Sequence, residues 1–237
     1  MLCLFTVLGV AILLALGVWQ LERRIGKLDL MQRVDQRVHA SPVMAPGPES
    51  WPYINAANDA YRHVQLTGRF IEGHEMLVQA VTERGAGYWL LAPFQTAEGF
   101  KVFVNRGYVP ADRSQWHIAG REDEMTLTGL LRITEPGGGF LRHNDPARDR
   151  WYSRDVFAIA AARNIHDAAP YFVDADASVE GSGFPVGGLT VISFPNNHLL
   201  YAVTWFSIAA MLAGWSFYVA RQEWRLRRSS AVSAVSG

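Results

Sequence analysis

The sequence predicts a membrane α+β fold, with two transmembrane helices flanking a β-rich, mainly antiparallel extracytoplasmic domain that holds one or two helices. The helices rest on two uncharged runs, Leu2 to Leu21 and Leu199 to Ala220. Each is long enough to cross a hydrocarbon core of about 30 Å at about 1.5 Å per residue. The domain rests on what lies between, short alternating apolar and polar runs separated by glycine, proline and aspartate turns. The expected organisation is a first span over 1–22, a helix extension and proline-rich linker over 23–60, the β-rich domain over 61–195, a second span over 196–221 and a basic tail over 222–237.

In chain order, the first run holds only Thr6 and Gln20 as markedly polar residues. A cleaved signal peptide is the rival reading, but the basic n-region and an A-x-A cleavage pattern are both missing. Gly9 and Gly17, and Ala210-x-x-x-Gly214 in the second run, would let helices approach closely. Ile25 to His39 extends the first helix, and the prolines between Pro42 and Pro52 end regular structure. Strands follow over His63 to Phe70, Met76 to Val81, Tyr88 to Phe94, Phe100 to Val109, Met125 to Ile133, Tyr171 to Val173 and Leu189 to Phe194. Ser153 is placed to cap a helix running to about Asn164, with Val156, Phe157, Ile159 and Ala160 inward. Ser229 to Gly237 reads as a disordered tail.

Charge and cysteine content narrow the function classes. Lys+Arg and Asp+Glu are 22 each, so no global basic field recruits nucleic acid. The single cysteine, Cys3, excludes an internal disulfide, a CxxC redox pair and a thiolate metal cluster, and argues against a copper chaperone. No GxSxG, HExxH, Walker A or dinucleotide-binding glycine pattern occurs, so a membrane-anchored hydrolase has no nominated nucleophile and base. The chain reads as a non-enzyme.

Orientation carries a conflict. Arg221, Arg225, Arg227 and Arg228 place the C-terminus in the cytoplasm and, with two spans, the N-terminus too. Yet Arg23, Arg24, Lys27, Arg33 and Arg37 then follow the first span on the outer side. The C-terminal cluster is preferred, because a long translocated domain weakens the charge rule. An anionic ligand would give the Arg23–Lys27 group a purpose.

Two stretches could carry chemistry. Asn105-Arg106-Gly107-Tyr108-Val109-Pro110-Ala111-Asp112-Arg113 reads as a strand end and turn, in which Arg106 and Arg113 either grip carboxylates or pair locally with Asp112. His63, His74, His117, His143 and His166 show no ligand spacing. His198 differs by position, since it opens the second span at the end where Trp19 and Gln20 close the first. If the spans pack, His198, Tyr201, Trp205, Trp19 and Gln20 surround one interfacial pocket, with Arg23, Arg24 and Lys27 above it. An imidazole can ligate haem iron, aromatic rings can pack on the macrocycle and arginines can pair with propionates. The alternative is that Asn197 or His198 caps the helix while Trp and Tyr anchor the membrane boundary.

Several motifs resemble the Surfeit locus protein 1 family. They are Leu16-Gly17-Val18-Trp19-Gln20-Leu21-Glu22-Arg23, Gly68-Arg69-Phe70 with His74-Glu75, Gly87-Tyr88-Trp89 before Pro93-Phe94, and Val104 to Pro110. Asn144-Asp145-Pro146 with Trp151-Tyr152-Ser153-Arg154-Asp155, and Asn196-Asn197-His198-Leu199-Leu200-Tyr201 through Phe206, complete the set in the same order. The resemblance implies an assembly factor for a haem–copper terminal oxidase of the cytochrome c oxidase type, binding haem a and assisting its insertion into subunit I. It implies no enzyme activity, and it maps the family's histidine onto His198 as the haem-iron ligand. The implied partners are oxidase subunit I, other assembly factors and the lipid bilayer. The implied location is the bacterial inner membrane, with the large domain periplasmic and both termini cytoplasmic. The chain opens in apolar sequence, without the family's presequence or basic leader; this favours a bacterial protein and leaves its true start open. A cofactor-free scaffold that binds the same subunits is the alternative expectation.

Overall fold

A computed structural model describes residues 2–112, 114, 116, 123–139, 141–176, 183–190 and 194–235. Two apolar helices flank a β-rich domain with a few short helices. The chain forms two compact units, Met1–Gln32 with Ser193–Gly237, and Arg33–Ile192.

In the first unit, α1 (Leu2–Val38, with its last turns in the second unit) packs against α4 (His198–Val235). Both are long and apolar enough to cross a membrane. Small residues set the approach. A Cβ at Gly17 would overlap the Phe206 ring, one at Gly9 would meet Leu212 at 3.4 Å, and Ala202 and Ala209 are buried. The pairs Gln20 with His198, Gly17 with Phe206 and Gly9 with Leu212 run antiparallel. Gly214 meets nothing within 4 Å and Ala210 is exposed, so the expected Ala210–Gly214 contact face is not used in this pair. Hydroxyls within α4 turn back on the helix, Thr204 donating to Tyr201 O and Ser216 to Leu212 O, as polar groups on an apolar helix must. The tail expected to be disordered continues α4 to Val235, since no glycine or proline interrupts it before Gly237.

The second unit is built on a closed sheet. Its strands are β1 (Val43–Met44), β2 (His63–Phe70), β3 (Met76–Thr82), β4 (Gly85–Thr96), β5 (Lys101–Pro110), β6 (Met125–Ile133), the small pair β7 (Gly138–Gly139) and β8 (Arg142–His143), and β9 (Ala168–Ala175). The order β1-β2-β6-β9-β5-β4-β3 closes on itself because β2 also pairs with β4, giving a ring β2-β6-β9-β5-β4. Among the pairings of these strands, β1–β2 and β5–β9 are parallel and the others antiparallel. Gly68 makes the closure possible. It pairs with Thr96 at φ +156°, where a Cβ would strike the Gln95 carbonyl.

Strand alternation then divides two cores. Val64, Leu66, Phe94, Val102, Val104, Leu131, Tyr171 and Val173 fill the inside of the ring. The alternate residues Leu91, Phe103 and Phe172 face outward and are covered by Trp151 and by Val156 and Ile159 of α3 (Val156–Ala162). Each such fully buried side chain is worth roughly 1.5–3 kcal/mol relative to exposure. Burial on both faces explains why β5 is an almost unbroken buried run.

Several local expectations change. The proline-rich stretch is ordered: Val43–Met44 pairs with β2, Pro48–Tyr53 forms a 3₁₀ helix, and α2 (Ala56–Asp59) follows it. Pro46 O accepts from Trp51 Nε1 at 3.1 Å and from the Tyr171 hydroxyl at 2.8 Å, and burial pushes the Tyr171 phenol up. Asp155, not Ser153, caps α3 by accepting from Ala158 N, because Ser153 is committed to Glu135 O at 2.7 Å. Phe157 lies exposed on α3. The stretch from Asn105 to Pro110 is interior strand, with no turn. Leu189 and Thr190 are not strand, and residues 191–193 lie outside the described residues. His117 and Arg113 also lie outside them.

Candidate cofactor site on the helix pair

The seven residues singled out around the two apolar runs all belong to the helical unit. His198 Nδ1 and Gln20 Oε1 lie 2.8 Å apart. Because an amide oxygen only accepts, Nδ1 is the donor of this pair, and in the neutral ring Nε2 is the nitrogen with the lone pair. Nε2 has no partner among the described residues. Two positions before it, Asn196 Oδ1 is buried without a hydrogen-bond partner among them.

Helical spacing sorts the others. On α4 the buried or half-buried positions His198, Ala202, Trp205 and Ala209 follow one stripe, and Tyr201 lies beside it, 53% exposed. On α1 the half-buried positions Gln20, Arg24 and Lys27 follow a stripe at i, i+4 and i+7. Trp19 and Arg23 fall on a neighbouring, exposed face, with the Arg23 guanidinium 5.5 Å from the Trp19 ring centroid. The structure therefore brings Gln20 and His198 together, sets Trp205 and Arg24 on the same stripes, and leaves Trp19, Arg23 and Tyr201 exposed. Lys27, placed above the pocket with Arg23 and Arg24 from sequence, has its ammonium 5.0 Å from the Phe194 ring, just before α4. Arg23, Arg24 and Lys27 make no ion pair among the described residues.

The chemistry of the donor set, an imidazole beside unpaired cations, is compatible with the haem that the resemblance implies. One imidazole nitrogen is held by an amide that fixes its tautomer, as metal-bound histidines require. Cations without carboxylate partners stand one and two turns from it. The SURF1 family profile matches residues 7–210, which include the whole β domain and both halves of this site.

The chain belongs to the SURF1 family.

Curated relatives agree over the same length. Human Surfeit locus protein 1 is 32% identical over 217 residues, covering 82% of this chain and 69% of its own. A SURF1-like protein of Monosiga brevicollis is 35% identical over 219 residues, covering 85% and 81%. The SURF1-like protein of Drosophila melanogaster is 30% identical over 228 residues, covering 87% and 73%.

In this SURF1 family member the β domain also holds charge that the sequence did not reveal. Arg106, expected in a turn, is 1% exposed within β5, with its guanidinium 4.7 Å from the Phe70 ring. Asp174 of β9 accepts from Asn105 Nδ2 at 2.8 Å, Arg132 at 2.7 Å, Arg154 at 3.3 Å and Thr190 Oγ1 at 3.0 Å. Arg154 also forks onto Glu135 at 2.6 and 3.0 Å. Burial draws the Arg154 guanidinium down, but Asp174 and Glu135 outweigh it and leave it raised. The sequence signals for this network were Asn105, inside the Val104–Pro110 motif, and Arg154, inside the Trp151–Asp155 motif. Among the described residues no group of three His, Cys, Asp or Glu side chains is placed to hold a metal ion.

Proposed function

We propose that this SURF1 family member is a membrane-anchored assembly factor for a haem–copper terminal oxidase, holding haem a and assisting its insertion into subunit I. The observation that supports it best is the Gln20–His198 bond, which leaves one imidazole nitrogen available at the mouth of two apolar helices. Bound haem would supply an iron able to take that nitrogen and two propionates in need of cations. His198 is the iron ligand in this reading. Gln20 orients its ring, Trp19, Tyr201 and Trp205 offer aromatic surface, and Arg23 and Arg24 meet the propionates. The role is binding and hand-over, with no bond of a substrate made or broken.

The same reading sets the chain in a bacterial inner membrane with the β domain periplasmic and both termini cytoplasmic, from the arginines after Ala220. Oxidase subunit I and other assembly factors are its partners. Protein purified in mild detergent from cells that make haem a is expected to carry a haem absorption spectrum, and His198→Ala to lose it. An unchanged haem content in that variant removes the assigned ligand.

A second reading has its own support, because a Gln–His bond across two helices is also what a purely structural pair would use. The chain is then a cofactor-free scaffold. Co-purification with subunit I from a strain unable to make haem a favours the scaffold, and its loss there favours the haem carrier.

A further inference from the structure

The β domain contains a cleft of about 490 Å³ on the outer side of its sheet, distinct from every residue assigned to the haem reading. That size is within the range of small-ligand sites. Its walls include Val81 at the β3–β4 turn, Trp89 of β4 and Leu189; Arg132, Arg154 and Asp174 also line it.

The donors there are unequally used. Asp174 receives four donors, so its oxygens are saturated. Arg154 spends both edges of its guanidinium, on Glu135 and on Asp174. Arg132 does not. Its NH1 donates to Asp174, while Nε and NH2 make no hydrogen bond among the described residues, NH2 approaching Glu135 no closer than 3.6 Å. The Nε–NH2 edge of Arg132, free of hydrogen bonds and shared with Glu135 only as an ion pair at 3.6 Å, is the side-on pair of parallel N–H groups that matches a carboxylate. Tyr61 and Phe172 hold the guanidinium, at 4.9 and 5.9 Å from their ring centroids. At the rim, Arg84 and Glu83 are both exposed and make no ion pair among the described residues, so their charges offset. The cleft is therefore close to neutral, and selectivity comes from the geometry of Arg132 beside apolar walls.

We propose that this cleft binds a carboxylate carried on an apolar body, with the Nε–NH2 edge of Arg132 gripping the carboxylate and Trp89, Val81 and Leu189 covering the body. The carboxylate belongs either to a chain terminus or to a small organic acid; the chemistry at Arg132 is the same.

Calorimetry on the full-length protein in detergent tests this with 2-naphthoate and with an N-acetylated leucine–phenylalanine dipeptide, each against its carboxamide. At least one acid is expected to bind saturably, and neither amide to do so. Preference for the dipeptide acid assigns a chain terminus, and preference for naphthoate a small acid. Arg132→Lys keeps a cation near Asp174 but loses the fork, and should weaken the acid at least tenfold in protein whose fold is verified by circular dichroism. Val81→Glu, at a position 86% exposed and hence tolerant, should weaken it several-fold by like-charge repulsion and covers the case in which the lysine variant does not fold. Binding of an amide as tight as its acid overturns the proposal. So does failure of both acids to bind, or unchanged affinity in either folded variant.

Discussion

Arginine is used in opposite ways in the two units. In the β domain Arg106, Arg132 and Arg154 are sunk in the structure, against the rings of Phe70, Tyr61 and Phe172, and the latter two are locked to Asp174 and Glu135. In the helical unit Arg23 only leans on Trp19, and Arg24 and Lys27 have no carboxylate within ion-pair distance among the described residues. A buried cation with its counter-charge holds a fold together, because removing one partner strands the other. A cation left without one costs little to keep in water and remains available to an incoming anion. The contrast separates arginines paired with carboxylates inside the fold from cations that have none within ion-pair distance among the described residues, with Arg132 keeping one edge free of hydrogen bonds.

The sharpest way to break the comparison is at Asp174. Asp174→Ala leaves Arg132 and Arg154 short of a counter-charge in a largely buried setting and should cost roughly 3–5 kcal/mol, read by denaturant unfolding in detergent. A loss below about 1 kcal/mol would show the network to be no more than surface pairing.

Next in size is the helix contact. Gly17→Leu forces a side chain into the Phe206 ring and should destabilise the helix pair by about 1–3 kcal/mol. Adding Phe206→Ala should recover part of that loss, a coupling read from a double-mutant cycle of melting curves.

A smaller effect concerns His63, whose ring nitrogens face Ala40 O at 2.8 Å and Asp176 Oδ2 at 2.7 Å. Burial lowers its pKa, but these two acceptors and the Asp176 charge together raise it above the ordinary 6.5. A raised histidine contributes stability that is fully present below the unfolded value of 6.5 and is lost as pH rises through the folded value. Melting temperature should therefore fall across that window, and His63→Gln should flatten the fall.

The smallest structural effect is expected at Arg24, which has no carboxylate within ion-pair distance among the described residues. Arg24→Gln should change stability by no more than about 0.5 kcal/mol while lowering the haem that co-purifies with the protein. Equal haem content at equal stability would mean that Arg24 waits for nothing.

What the sequence disclosed follows from range. Local periodicity placed β2 and β6 to the residue and found both long helices, since alternation and unbroken apolar runs are written in neighbouring positions. Gln20 and His198 could be paired from sequence because each lies at the mid-chain end of an apolar run, the ends that an antiparallel helix pair brings together. The facing stripe could not be chosen so well. Tyr201 and Ala202 are adjacent, and only the buried Gly17–Phe206 contact decides which of them turns toward α1. The strand expected over Phe100 to Val109 holds and contains Arg106, but the turn read into the same stretch does not, because Gly107 and Pro110 imitate one while β4 and β9 flank the strand on both sides. The Asp174 network joins β5, β6, β9 and two loops across up to 69 positions, and no local pattern encodes such a meeting.

Closing the strands into a ring has a consequence for recruitment. A protein that adds itself to a neighbour as an extra strand needs an open ladder to copy. Here the ring has none, β1 offers two residues beside Pro42 and Pro46, and the outer side of β3 already gives its Gln79 amide to Trp151 O. Little open ladder is left among the described residues, so a companion that docks on this domain reads mainly side chains, and swapping surface residues can retarget it while the barrel stays the same.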